Sequence, residues 1–93
     1  MVPIDKALYI FGGFDGVNRY NDCYSYNTET KVWNQVITND MPPSPRDRHS
    51  AVVHKRSMFI FGGFDGINKT NDFYEYNVDS NTWQEVLFSG FYN

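Results

Sequence analysis

The sequence predicts an all-β chain in which one four-stranded antiparallel sheet is written twice. Three observations predict it. Phe, Tyr and Trp make up 17 of the 93 residues, and aromatic side chains favour the pleated, half-buried surface of strands. The stretch "IFGGFDGVNRYND" at residues 10–22 returns as "IFGGFDGINKTND" at 60–72, with ten of thirteen positions identical. At the same offset of 50, residues 9–37 align with 59–87, and fifteen of those 29 positions match. Finally, the apolar runs are short and separated by turn formers, and no window of about 11 residues carries a helical period.

The elements follow in order, most completely in the second copy. "SAVVH" (50–54) is apolar and β-branched, and "SMFIF" (57–61) is a short apolar run that Gly62 and Gly63 are expected to stop. "DFYEYN" (72–77) is aromatic, and "TWQEVLF" (82–88) alternates apolar with polar. "KR", "GGFDGINKTN" and "VDSN" supply the turns. Glycine tolerates positive φ and lets another backbone approach. Asp65-Gly66 and Asp15-Gly16 turn the chain, and the neighbouring Asn and Asp side chains can bond local amides. Gly and Pro are expected between the strands. Six aromatic pairs keep their register across the copies, from Tyr9 with Phe59 to Trp33 with Trp83.

Taken together, the ordered parts "PRDRHSAVV" (45–53), "MFIFGGFDG" (58–66), "NDFYEYN" (71–77) and "NTWQEV" (81–86) resemble a kelch motif, a propeller repeat of about 50 residues. The residues that carry the resemblance are Gly12, Gly13, Tyr26 and Trp33, then Gly62, Gly63, Tyr76 and Trp83. The resemblance implies two four-stranded antiparallel kelch blades of a β-propeller. It places strands at 49–54, 57–62, 72–77 and 82–87, and at 7–12, 22–27 and 32–37. Only "MVPI" remains for the inner strand of the first blade, which therefore lacks most of that strand. The expected division is blade 1 at 1–37, an inter-blade loop at 38–48 and blade 2 at 49–93.

The net charge of −3 and the lack of a basic stripe argue against nucleic acid as a partner. No apolar run approaches the roughly 20 residues of a membrane span. Cys23 is the single cysteine, so no disulfide framework is expected, and a reducing compartment, cytoplasmic or nuclear, suits the chain. His49, His54 and Cys23 do not make a zinc set. The oxygen-rich "DGVNRYND" lacks the order of an EF-hand, and the glycines lack a phosphate-loop lysine and helix. No cofactor and no metal are expected. Cys23 stands where the second copy has Phe73, which marks a small apolar core position. No catalytic constellation is recognisable, so the chain is not expected to be an enzyme. The weak alternative is a kelch-type copper oxidase, whose ligand complement is thin here.

The long connections at 13–21, 63–71 and 38–48 are expected at one end of the blades, where the resemblance implies binding of a partner protein. The candidates are the positions that differ between copies, Val17, Arg19 and Tyr20 against Ile67, Lys69 and Thr70, with Arg46 and Arg48 of the linker. The competing reading makes these solvated turn residues and gives at least one of the arginines a structural salt bridge. The expected function is a protein-interaction scaffold; the alternative is a purely structural pair of blades in a larger propeller. Two blades leave an apolar face bare at each end. The chain is therefore expected to belong to a longer propeller or to self-assemble, three copies completing six blades.

Overall fold

A computed structural model describes residues 1–86; the expected end of the last strand at Leu87 and the rest of 87–93 lie outside the described residues. Eight strands form two sheets. The first contains β1 (Val2–Ile4), β2 (Ala7–Phe14), β3 (Arg19–Asn27) and β4 (Val32–Val36). The second contains β5 (Ser50–His54), β6 (Ser57–Phe64), β7 (Lys69–Asn77) and β8 (Thr82–Glu85). Each is an antiparallel meander whose strands pair in chain order. β1 has three residues against five in β5 and includes Pro3, whose missing N–H is tolerated on a sheet edge.

The turns repeat with the sequence. Residues 5–6 and 55–56 make two-residue hairpins, with Asp5 and Lys55 at positive φ. Asn27 Oδ1 accepts the amides of Glu29 and Thr30, and Asn77 Oδ1 accepts that of Ser80. An Asn that ends a strand and caps the following turn recurs because its short amide can replace a backbone acceptor.

The glycines do not stop the strands. β2 and β6 run through them to Phe14 and Phe64, and β3 and β7 begin at Arg19 and Lys69. The register shifts at this point, so that Asn21 and Asp22 stand opposite the single Gly12 and Asn71 and Asp72 opposite Gly62. This bulge re-aims the backbone without ending the pairing. The expected loops 13–21 and 63–71 thus shrink to the four-residue tips 15–18 and 65–68. Arg19, Tyr20, Lys69 and Thr70 sit on strands, not on loops.

The core lies between the sheets. The first sheet contributes Val2, Ile4, Phe11 and Cys23, and the second Met58, Ile60, Tyr76 and Trp83, all buried. Phe11 meets Trp83 at 5.2 Å between ring centroids and Tyr9 meets Tyr76 at 6.2 Å. Burial pushes the Cys23 thiol up to about 12, as expected for a small core residue and opposite to what activates a nucleophile.

Candidate functional site

The hairpin tips 15–18 and 65–68 and the linker 38–49 meet at one end of the sheets. Each tip is locked by its aspartate. Asp15 Oδ1 accepts the amides of Val17 and Asn18 at 2.8 and 2.7 Å, and Asp65 Oδ1 accepts those of Ile67 and Asn68 at 2.9 and 2.7 Å. These amide bonds, chiefly from Asn18, hold the Asp15 carboxyl down at about 2, and the same contacts, led by Asn68, lower Asp65. Tyr20 donates its hydroxyl to Asp15 Oδ2 at 2.6 Å, and this bond raises the phenol above its ordinary value. The result is two rigid turns that hold Val17 and Ile67 in water, 81% and 83% exposed.

The linker runs across both sheets, and Arg46 is the bolt. Its main chain belongs to the first sheet: Gly13 N donates to Arg46 O at 2.9 Å and Arg46 N donates to Tyr20 O at 3.2 Å. Its side chain belongs to the second. Nη1 donates to Gly62 O at 3.0 Å and to Thr70 Oγ1 at 3.2 Å, and the guanidinium forks onto Asp72, with Nη2 to Oδ2 at 2.9 Å. A bidentate pair of this kind fixes orientation as well as charge. Arg46 is 1% exposed; it therefore offers a partner nothing, and its candidacy as a contact is corrected to a structural role. The Arg46 guanidinium in turn holds Asp72 below the usual carboxylate range.

Arg19 is a second tie. Its guanidinium lies over the Phe14 ring at 4.3 Å and the Phe64 ring at 4.8 Å, one from each sheet, and Nε donates to Asp47 Oδ1 at 2.7 Å. That bond lowers the Asp47 carboxyl. Thr70 is engaged as well, accepting from Arg46 and donating to Gly63 O at 3.4 Å. Val17, Ile67, Lys69 and Arg48 remain exposed, and so does Tyr20. Arg48 reaches Asp47 at 3.3 Å and lies over the Phe64 ring at 5.7 Å.

Sequence reasoning did not single out Asp47, and it gave Asp72 only the role of bonding nearby backbone amides, whereas the two anchor the ties to Arg19 and Arg46. The repeated Asn-Asp pair at 21–22 and 71–72 was the available signal for Asp72. Phe14 and Phe64 also escaped notice, although each is the aromatic that follows a double glycine. Among the described residues, no group of three His, Cys, Asp or Glu side chains gathers as metal ligands would.

The family described as KLHDC2/KLHL20/DRC7 Kelch-repeats domain matches residues 1–92. The chain belongs to the kelch-repeat family. Kelch-repeat domains are generally protein-interaction modules. Among similar proteins, the Drosophila melanogaster "Leucine-zipper-like transcriptional regulator 1 homolog" is 39% identical over 53 residues, 57% of this chain and 5% of that protein. The human "Kelch domain-containing protein 1" is 39% identical over 57 residues, 56% of this chain and 14% of the relative. The Dictyostelium discoideum "Ras guanine nucleotide exchange factor F" is 51% identical over 35 residues, 38% of this chain and 3% of that protein. The chain thus spans a small fraction of these relatives' length.

Proposed function

We propose that this kelch chain is a non-enzymatic scaffold that binds a protein partner through the end formed by the two hairpin tips and the linker, in a cytoplasmic or nuclear setting. The observation that carries the reading is the pair Val17 and Ile67. Both are apolar, both are more than four-fifths exposed, and both stand on turns locked by aspartate. Rigid loops that hold apolar side chains in water lose little entropy on binding, and loops on a fixed scaffold are where recognition concentrates. Tyr20, Arg48 and Lys69 surround the tips with polar contacts, the usual rim of an interface.

Photo-crosslinking tests this. A photoreactive side chain at position 17 or 67 is expected to capture a partner that the same group at His54, on the opposite turn, does not. Equal capture from both ends, or capture at His54 alone, places the interface elsewhere.

A second reading, that these blades serve to complete a larger ring, is favoured by the two bare faces. Trp33 is 54% exposed on the outer face of the first sheet and Phe61 43% exposed on that of the second. Three copies closing six blades is one way to cover them, within the usual range of about four to eight. Sedimentation at micromolar concentration separates the states.

A further inference from the structure

The linker sets a modifiable hydroxyl directly on the Arg46 bolt. Ser44-Pro45 is the single step in the chain at which proline follows a serine or threonine, and Pro42 stands two residues before it. Residues 41–44 form no regular structure, and Ser44 and Pro45 are exposed. A residue before proline favours the extended backbone, the form in which a kinase cleft takes its substrate. Arg46 Nη2 donates to Ser44 Oγ at 2.9 Å, and Arg46 Nε donates to Ser44 O at 3.1 Å. The same Nη2 donates to Asp72 Oδ2, also at 2.9 Å. One nitrogen thus bridges the linker hydroxyl and a carboxylate of the second sheet.

From this we infer that Ser44 is phosphorylated by a proline-directed protein kinase, and that the phosphate unlatches Arg46 from Asp72. In the transfer the Ser44 oxygen attacks the γ-phosphorus of ATP. The bond from Oγ to phosphorus forms, the bridging bond to the β-phosphate breaks, ADP leaves with that electron pair, and the hydroxyl proton passes to the kinase's base. The product carries a charge of about −1.5 to −2 and three strong acceptor oxygens, against the single charge of Asp72. They form on an atom already 2.9 Å from Nη2, so the guanidinium can turn to them without backbone movement. A pair within the linker then replaces the pair between the linker and the second sheet. Burial sets the order of events. Pro43 and Arg46 are buried on either side of Ser44, and Asn21 Nδ2 donates to Pro43 O at 3.2 Å. The kinase therefore acts when the linker swings open. The main-chain bonds of Arg46 to Gly13 and Tyr20 face no competitor, so the modified linker returns to the first sheet and loses only the second. The inference holds whether or not the tips bind a partner.

The test treats the full chain with a purified mitogen-activated protein kinase and ATP, beside the synthetic peptide PPSPRDRHS, which copies residues 42–50 as a permanently open linker. One phosphate should map to Ser44 by mass spectrometry, and none should enter Ser44→Ala. The chain should react at least about tenfold more slowly than the peptide, because its linker must first open. Equal rates, or a chain that takes no phosphate while the peptide does, overturn the inference. Urea midpoints then read the unlatching. Phosphorylation should lower the midpoint of wild type and leave that of Asp72→Asn unmoved, because the contact it breaks is already gone there. A wild-type midpoint that holds or rises, or an equal fall in both proteins, overturns the unlatching. A further measurement needs no variant. Titrated by its 31P signal, the phosphate in the folded chain should lose its second proton at a lower pH than in the phosphorylated peptide, where the ordinary value is about 6, because Arg46 is fixed beside it. In the 15N spectrum the amides of Thr70 and Asp72 should shift. The same 31P midpoint in chain and peptide, with those amides unmoved, means that Arg46 never left Asp72.

Discussion

At the residue scale, the double glycine serves two different backbones. Gly12 lies against the linker that leaves its sheet, and Gly63 lies against the linker that enters its sheet, where a Cβ would meet Asp47 O at 2.9 Å. Gly62 shares the left-handed φ of Gly12, +66° against +69°, but among the described residues no linker crosses it. Both alanine variants should lose the roughly 1–2 kcal/mol of a left-handed L-residue. Gly12→Ala should lose about 1–3 kcal/mol more through overpacking, and urea unfolding of the two variants measures the difference. Arg46 concentrates the polar contacts. Arg46→Met should cost about 2–4 kcal/mol, below the 3–5 of a fully buried pair because Asp72 keeps some contact with water. Acid stability follows from the same groups. Asp72 is held low by Arg46, so its contribution is complete above the ordinary carboxylate value of about 3.9 and is lost as pH falls through its lower folded value. His49 is also lowered, chiefly by burial, with Arg46 and the N-terminus adding to the shift and a bond to the Phe11 backbone and Asp47 opposing it. Its unfolded form takes up a proton first, so stability should begin to fall below about pH 6.5. Urea midpoints measured from pH 7 to pH 3 should show a shallow decline and then a steep one, and His49→Leu should remove the shallow part.

At the element scale, a shared bulge explains both what the sequence disclosed and what it concealed. The strand cores around Tyr24, Tyr26, Tyr74 and Tyr76 were legible because aromatic alternation and turn residues agree there. The strand ends were not. A glycine pair in sequence reads as a stop, yet here it accommodates an offset in pairing that lets the hairpin continue to Phe14 and Phe64. Only the partner strand's count, two residues opposite one, reveals this, and that count is a property of pairing. The same limit applies to the site. The exposure of Val17 and Ile67 follows from their place beside Asp-Gly. The burial of Arg46 depends on Asp72, 26 residues away, and nothing local announces it. If the tip is shaped by its aspartate, Asp65→Ala should destabilise the hairpin, as loss of a capping acceptor does. It should also raise hydrogen exchange at Ile67 and Asn68 before any other amide. Unchanged protection there would mean that Asn68 O, which accepts from the Asp65 amide at 3.2 Å, holds the turn unaided.

At the scale of the whole molecule, the two sheets run one experiment twice with different neighbours. Tyr26–Trp33 and Tyr76–Trp83 are the same cross-strand pair, with ring centroids 4.9 and 5.2 Å apart. Trp83 is 7% exposed because the first sheet covers it, whereas Trp33 is 54% exposed. The opposite faces mirror this: Phe11 is 3% exposed under the second sheet, and its match Phe61 is 43% exposed. Each bare face is therefore the counterpart of one already seen packed, which is the arrangement of a contact that can propagate. The match is imperfect. Cys23 leaves room beside Trp83, and its counterpart Phe73 is larger by most of a ring. At the turns, Arg56 bonds Asp79 within its own sheet and Asp5 across the sheets, but the next contact of the second kind would set Lys55 beside Lys6. Like charges there, exposed and weak, would bias the second sheet against the first sheet of another copy. The internal contact should accordingly dominate the stability of the isolated chain. Trp83→Ala should cost about 3–5 kcal/mol, and Trp33→Ala only about 1, the worth of its ring contact with Tyr26. Acrylamide should quench Trp33 far more than Trp83. Equal losses from the two substitutions, with equal quenching, would mean that something already covers the first sheet's outer face in solution. Adding Lys55→Asp should then strengthen that association if the cover is another copy of the chain, because it restores across the new contact the charge pair that Asp5 and Arg56 make inside the molecule.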